Sequence, residues 1–205
     1  LYDKISTRYT KALARSMAQT KQVKAASILD NAFTAGSSAG GDGKALLATD
    51  HPTIAGTFSN ELATSADLSE TSLEQSVIDI AKMTDERGFK IAATGQKLII
   101  HPAQQFIAER IMKSANRVGT ADNDINALSS MGMIPQGYVV NNFLADSESF
   151  FIKTDVPNGM KHMVRAPIKT AMEGDFETGN VRYKARERYS FGFSDPRGIF
   201  GTPGV

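Results

Sequence analysis

The stretch MEGDFETGNVRYKARERYSFGF, residues 172–193, decides how the C-terminal third of this chain folds. Successive side chains of a strand point to opposite faces. Read as a strand, residues 181–193 place Arg182, Lys184, Arg186 and Arg188 on one face. Four cations in a row repel one another unless anions meet them. The preceding residues alternate in the same way, with Glu173, Asp175 and Glu177 sharing a face. Between the two runs, Gly179-Asn180 suits a two-residue type II′ turn, because glycine takes positive φ without strain. A hairpin folded there sets Glu177 against Arg182, Phe176 against Tyr183, Asp175 against Lys184 and Glu173 against Arg186, and leaves Arg188 opposite Ala171. Each ion pair across the ladder is worth about 0.2–1 kcal/mol, and a one-residue slip puts the charges on the wrong face. On this reading Arg188 is the cation left over to contact another chain or nucleic acid.

Downstream, FGFSDPRGIFGTPG (191–204) is too apolar for a free tail, so it packs on its own core or is covered by a neighbouring subunit. Upstream, the patterns alternate between helix and strand. A helix over 70–86 has Ser69 as N-cap, an apolar stripe of Leu73, Val77, Ile80 and Ala81, and Gly88 as stop. KLIIHP (97–102) reads as a buried strand running into a helix from Pro102 to Ala115, with Phe106, Ile107 and Ile111 inward. Two more strands are expected over 137–142 and 149–154. The middle of the chain is therefore an α+β unit.

At the other end, residues 3–33 contain no Pro or Gly, and Ile5, Tyr9, Leu13, Met17, Ile28, Leu29 and Phe33 recur near helical spacing. The helix would be a rod of roughly 45 Å. Lys4, Arg8, Lys11 and Arg15 fall on one side of it. A solvated face is the plainer reading; an anion-facing or subunit-facing side is the functional one. The segment 35–60 is rich in Gly, Ser and Pro and reads as a long loop with short strands at most.

Composition bounds the function classes. The chain has 205 residues, a net charge of +1, and no Cys or Trp. Without Cys there is no disulfide, thiolate metal site or Cys nucleophile. Near-neutral charge argues against a protein whose main task is wrapping DNA. No apolar run reaches the ~20 residues of a membrane helix. The absence of an initiator Met suggests a processed chain or a fragment. GSSAGGDGKA (36–45) is not a phosphate loop, because the residue after Lys44 is Ala45 and the glycine spacing is wrong. His51, His101 and His162 lack a second ligand at metal spacing, and Asp79, Asp85 and Glu86 read as solvated carboxylates. No catalytic residue, metal site or cofactor is expected.

The ending resembles the major capsid proteins of tailed bacteriophages, of the Hong Kong ninety-seven type. The family often closes with a strand of the form N-x-V-x-x-x-A-x-x-R, a short apolar run and a Pro. Asn180, Val181 (one position early), Ala185, Arg188 and Pro196 match here. DGKALLATDHPTIAGTFSN (42–60) also looks like the stretch after the long helix in some phage head subunits. The resemblance implies an α+β capsid fold with a long spine helix, peripheral strands and an α+β axial domain. It places the spine and its loop in 1–61, the axial domain in 62–164 and the terminal strands completing the peripheral domain in 165–205. It implies a subunit that assembles with itself, as pentamers and hexamers, into an icosahedral shell around phage double-stranded DNA. Packaged DNA is contacted non-specifically, and portal, scaffold and decoration proteins are candidate further partners. Lys4, Arg8, Lys11, Arg15 and Arg188 are the candidate DNA or inter-subunit contacts. The family's N-terminal arm and extended loop have no counterpart, so the chain is expected to be a fragment. The alternatives are an encapsulin-like compartment shell, a basic nucleic-acid-binding protein and an enzyme of unrecognised type.

Overall fold

The computed structural model describes residues 2–36, 40–117, 124–174, 176–177 and 179–205, with side chains from Thr7 onward. The expected rod is α1 (Tyr2–Asp30), whose 29 residues span roughly 44 Å. Its contact with the rest of the chain is graded along its length. Ala26 and Leu29 are buried, Leu13 and Met17 half-buried, and Tyr9 is 70% exposed despite its place in the apolar stripe. The helix enters the body by its last turns. The following segment holds two short paired strands, β1 (His51–Thr53) and β2 (Gly56–Phe58).

Helix α2 (Glu70–Lys82) starts where its cap predicts. The Ser69 hydroxyl accepts the Ser72 amide, and the Ser72 hydroxyl accepts the Ser69 amide. It ends four residues before the expected 86, because Asp85 takes the amides of Arg87 and Phe89 and turns the chain locally. Strand β3 (Gly95–Ile100) leads to a 3-10 turn (Pro102–Gln104) and α3 (Gln105–Lys113). Only part of the expected inward face of α3 is inward. Ile111 is buried, but Phe106 is 75% and Ile107 39% exposed, and Ala108 occupies the inward position. At 3.6 residues per turn Phe106 lies about 140° around α3 from Ile111, so the two apolar side chains cannot share one buried face. The unanticipated α4 (Ala127–Met131) is capped by buried Asn126, which also donates to the Ile111 carbonyl.

Strands β4 (Tyr138–Val140), β5 (Phe150–Thr154), β6 (Met160–Gly174), β7 (Val181–Phe193) and β8 (Ile199–Thr202) complete the fold. The central sheet runs β4-β3-β5-β8, with β4 parallel to β3 and the other pairs antiparallel. Alternation sends Leu98, Ile100, Phe150, Ile152 and Phe200 to one face, where Leu73, Val77 and Ile80 of α2 and Ala108 and Ile111 of α3 cover them. It sends Ile99, Phe151 and Ile199 to the other, under Leu29, Ala32, Leu46 and Leu47. The apolar tail thus packs on its own chain, and β8 brings the C-terminal residues into the same sheet as the middle of the sequence.

Candidate assembly interface

The two-stranded sheet β6–β7 forms a ribbon beside α1. Odd-numbered residues of β7 from Tyr183 onward face the helix and are half-buried, whereas Arg182, Lys184, Arg186 and Arg188 are exposed on the opposite face. Lys21 of α1 joins the Glu187 carboxylate at 2.5 Å and lies 5.2 Å from the Tyr189 ring centroid. Further out, Leu13 and Ala14 line one slot with Ile168, Met172, Tyr183 and Ala185. Strand and helix therefore run side by side in the same direction. His162 lies on this inner face as well, stacked on Phe191 at 4.6 Å.

The hairpin is present, but its register differs from the expected one by four residues. Glu173, not Glu177, is opposite Arg182, while Met172 faces Tyr183, Ala171 faces Lys184 and Lys169 faces Arg186. Arg188 lies opposite Ala166 rather than Ala171. The last described pair is Gly174 with Val181, and Phe176 and Glu177 are in the turn. Asp175 lies outside the described residues. The set of ion pairs expected among Glu173, Asp175, Glu177, Arg182, Lys184 and Arg186 is not the one the ladder makes. A shift of four preserves which residues share a face, so charge alternation cannot choose between the registers. In the register found, Met172 and Thr170 lie across from Tyr183 and Ala185, in a slot that Leu13 also lines. The ladder shifts register between Val164 and Ala166 and between Ala166 and Lys169, which accommodates Pro167 inside a strand.

The structure separates the remaining cations instead of gathering them. Arg8, Lys11 and Arg15 are exposed, and helical spacing turns them away from the face that meets the ribbon. The Lys4 side chain lies outside the described residues. The arm made by α1 and the ribbon is thus cationic on both outer faces. Lys169, which sequence reasoning did not single out, joins Lys184, Arg186 and Arg188 on the ribbon's outer face. Its signal was the basic spacing of Lys161, Arg165 and Lys169, obscured by Pro167, which argues against a strand.

Other candidates have structural partners. His51 is fully buried, with Asp42 at Nδ1 (2.7 Å) and Asn60 Oδ1 at Nε2 (3.1 Å). Partial burial alone would raise the Asp42 carboxyl, but hydrogen bonds from His51 and the Lys44 amide, with the charge of His51, carry it below the usual carboxylate range. His101 accepts the Ala103 amide at the entry to α3. The Lys44 ammonium pairs with Asp50 rather than standing free for a phosphate. Asp79 pairs with Lys82, and Glu86 with buried Arg197, which also donates to the Thr84 carbonyl and lies over Phe58. Among the described residues no group of three His, Asp or Glu could hold a metal ion, and no helix is long and apolar enough to cross a membrane.

A model of the phage capsid protein family matches residues 1–201. No curated protein matches the sequence. Among solved structures, one from Mycobacterium phage Che8 is 18% identical, with a TM-score of 0.51 over 96% of this chain and 63% of that one. A phage-related protein from Bordetella bronchiseptica RB50 is 12% identical, with a TM-score of 0.53 over 96% and 64%. A virus-like particle from Pyrococcus furiosus is 13% identical, with a TM-score of 0.46 over 69% and 55%. This chain therefore spans less than two thirds of the length of each of these three structures. With the family match running from the first turn of α1 to the last strand of the sheet, the chain belongs to the phage capsid protein family.

Proposed function

We propose that this chain is a structural subunit that assembles with copies of itself into the icosahedral head shell enclosing phage double-stranded DNA, with no catalytic role. The observation that supports it best is the family match over 1–201, taken with the arm of α1 and ribbon that stands beside the central sheet. Helix α1 covers one face of the two-stranded ribbon and leaves the other exposed. Heterologous contacts that close into rings supply the missing cover and build pentamers and hexamers. In this reading residues 1–61 and 165–205 form a peripheral part and 62–164 an axial part, with β8 as the seam between them. Arg8, Lys11 and Arg15, with Lys4, contact packaged DNA through phosphates, without reading sequence. Portal, scaffold and decoration proteins are the further partners. The product is a virion component, assembled in the host cytoplasm.

Electron microscopy of the purified full-length protein tests this. Closed icosahedral particles are expected. A strictly single-copy protein at every concentration refutes it, and particles filled with protein cargo instead of nucleic acid identify a compartment shell. Arg8→Glu with Arg15→Glu is expected to leave shells intact and impair packaging.

A further inference from the structure

We propose that the outer face of the β6–β7 ribbon is a docking surface for the acidic central body of a second copy of this chain. The inference rests on the shell-forming reading and names a surface through which it acts.

The face carries an unbalanced charge. Lys169 stands directly opposite Arg186, with Arg188 opposite Ala166 and Lys184 opposite Ala171. Among the described residues, no carboxylate forms an ion pair with Lys169, Lys184, Arg186 or Arg188. Like charges directly opposite one another weaken a ladder. Helix α1 covers only the other face, so an anionic cover would both shield these cations and complete the ribbon's packing.

The charge distribution favours a second copy as that cover. Of the 23 basic and 22 acidic residues, thirteen basic and six acidic fall within 2–30 and 160–193, leaving ten basic and sixteen acidic for the rest of the chain. The molecule is nearly neutral because a cationic arm balances an acidic body. That separation is satisfied reciprocally when the arm of one copy lies on the body of the next. Two arms meeting face to face would repel, so the contact is heterologous. A nucleic-acid cover is the less favoured reading. Tyr183, Tyr189 and Phe191 all lie on the side toward α1, so a single strand finds no stacking platform on the outer face, and a duplex held by its phosphates is told apart by the DNA arm of the test.

The test uses the full-length protein. Particle formation in nucleic-acid-free buffer, followed by sedimentation and electron microscopy, is compared for wild type and Arg186→Glu/Arg188→Glu, alongside binding to a short DNA duplex. The reversed variant is expected to lose particle yield by at least about tenfold, and wild-type assembly to weaken as salt rises. Lys169→Glu guards against simple misfolding. It places a carboxylate opposite Arg186, so its melting temperature is expected to rise while its particle yield falls. Equal particle yield from wild type and variants overturns the docking surface and leaves the shell reading standing. Normal empty shells with lost DNA binding assign the face to nucleic acid and overturn it too. Failure of the wild type to form particles under any condition overturns the shell reading, and this inference with it.

Discussion

Replacing Asn60 with Ala removes the side chain that ties three separate segments together. Asn60 is fully buried. Its Nδ2 donates to the carbonyls of Leu46 and Pro196, each at 2.8 Å, with Ile199 at 3.4 Å. These acceptors fix the amide orientation, so Oδ1 accepts from the Ala48 amide at 3.0 Å and from His51 Nε2 at 3.1 Å. Truncation strands the Ala48 amide, the His51 ring nitrogen and the Leu46 carbonyl at once, while the Pro196 carbonyl keeps the Ile199 amide. An unsatisfied buried polar group costs about 1–3 kcal/mol. The three share one cavity that a water molecule can enter, so their effects do not add in full. The expected loss is about 3–5 kcal/mol, a large part of the 5–15 kcal/mol that typically holds a domain together. Urea unfolding followed by far-ultraviolet circular dichroism measures it, since the chain has no Trp. Hydrogen exchange should show protection lost together in 46–48 and 199–202. A loss below ~1 kcal/mol, or deprotection of one segment alone, refutes the role given to Asn60.

Asp42 carries a pH dependence of defined sign. Its folded-state carboxyl lies below the usual range, so its contribution is complete above about pH 4 and is lost as pH falls through the lower folded value; Asp42→Asn should flatten the acid limb of a stability–pH curve. Gly201→Ala should destabilise by about 1–3 kcal/mol, because a Cβ there would sit 2.9 Å from Leu47 Cδ1 and from Phe151 Cδ1; an unchanged urea midpoint would remove the close-packing argument. On α3, Phe106→Ser should change stability by less than about 0.5 kcal/mol and Ile111→Ala should cost about 2–5 kcal/mol, a contrast that thermal melts of the two variants would check.

Elements with a local chemical signature were legible in advance. Ser69 announced α2 through its capping hydroxyl, and the uninterrupted run 3–33 announced α1. The apolar run 97–100 and the segments 137–142 and 149–154 announced the central strands. Helix α4 went unseen because five residues are too few for a helical period to emerge, and its cap, Asn126, is held by a partner from α3. Arg197 went unseen because nothing local distinguishes a buried arginine from a solvated one. Its partners Thr84 and Glu86 lie more than a hundred residues away.

The same division runs through the candidate interface. Alternation of sign along 172–193 was sufficient to establish a hairpin and to put its cations on one face, because side-chain direction in a strand depends only on position parity. Register was not contained in that pattern. Shifts of two or four residues keep the parity, and the folded chain takes the one that sets Met172 opposite Tyr183, beside Leu13 of a helix some 160 residues earlier in the chain. Which cations end with partners, and which are left for a neighbouring molecule, therefore follows from tertiary packing rather than from the residues that carry the charge.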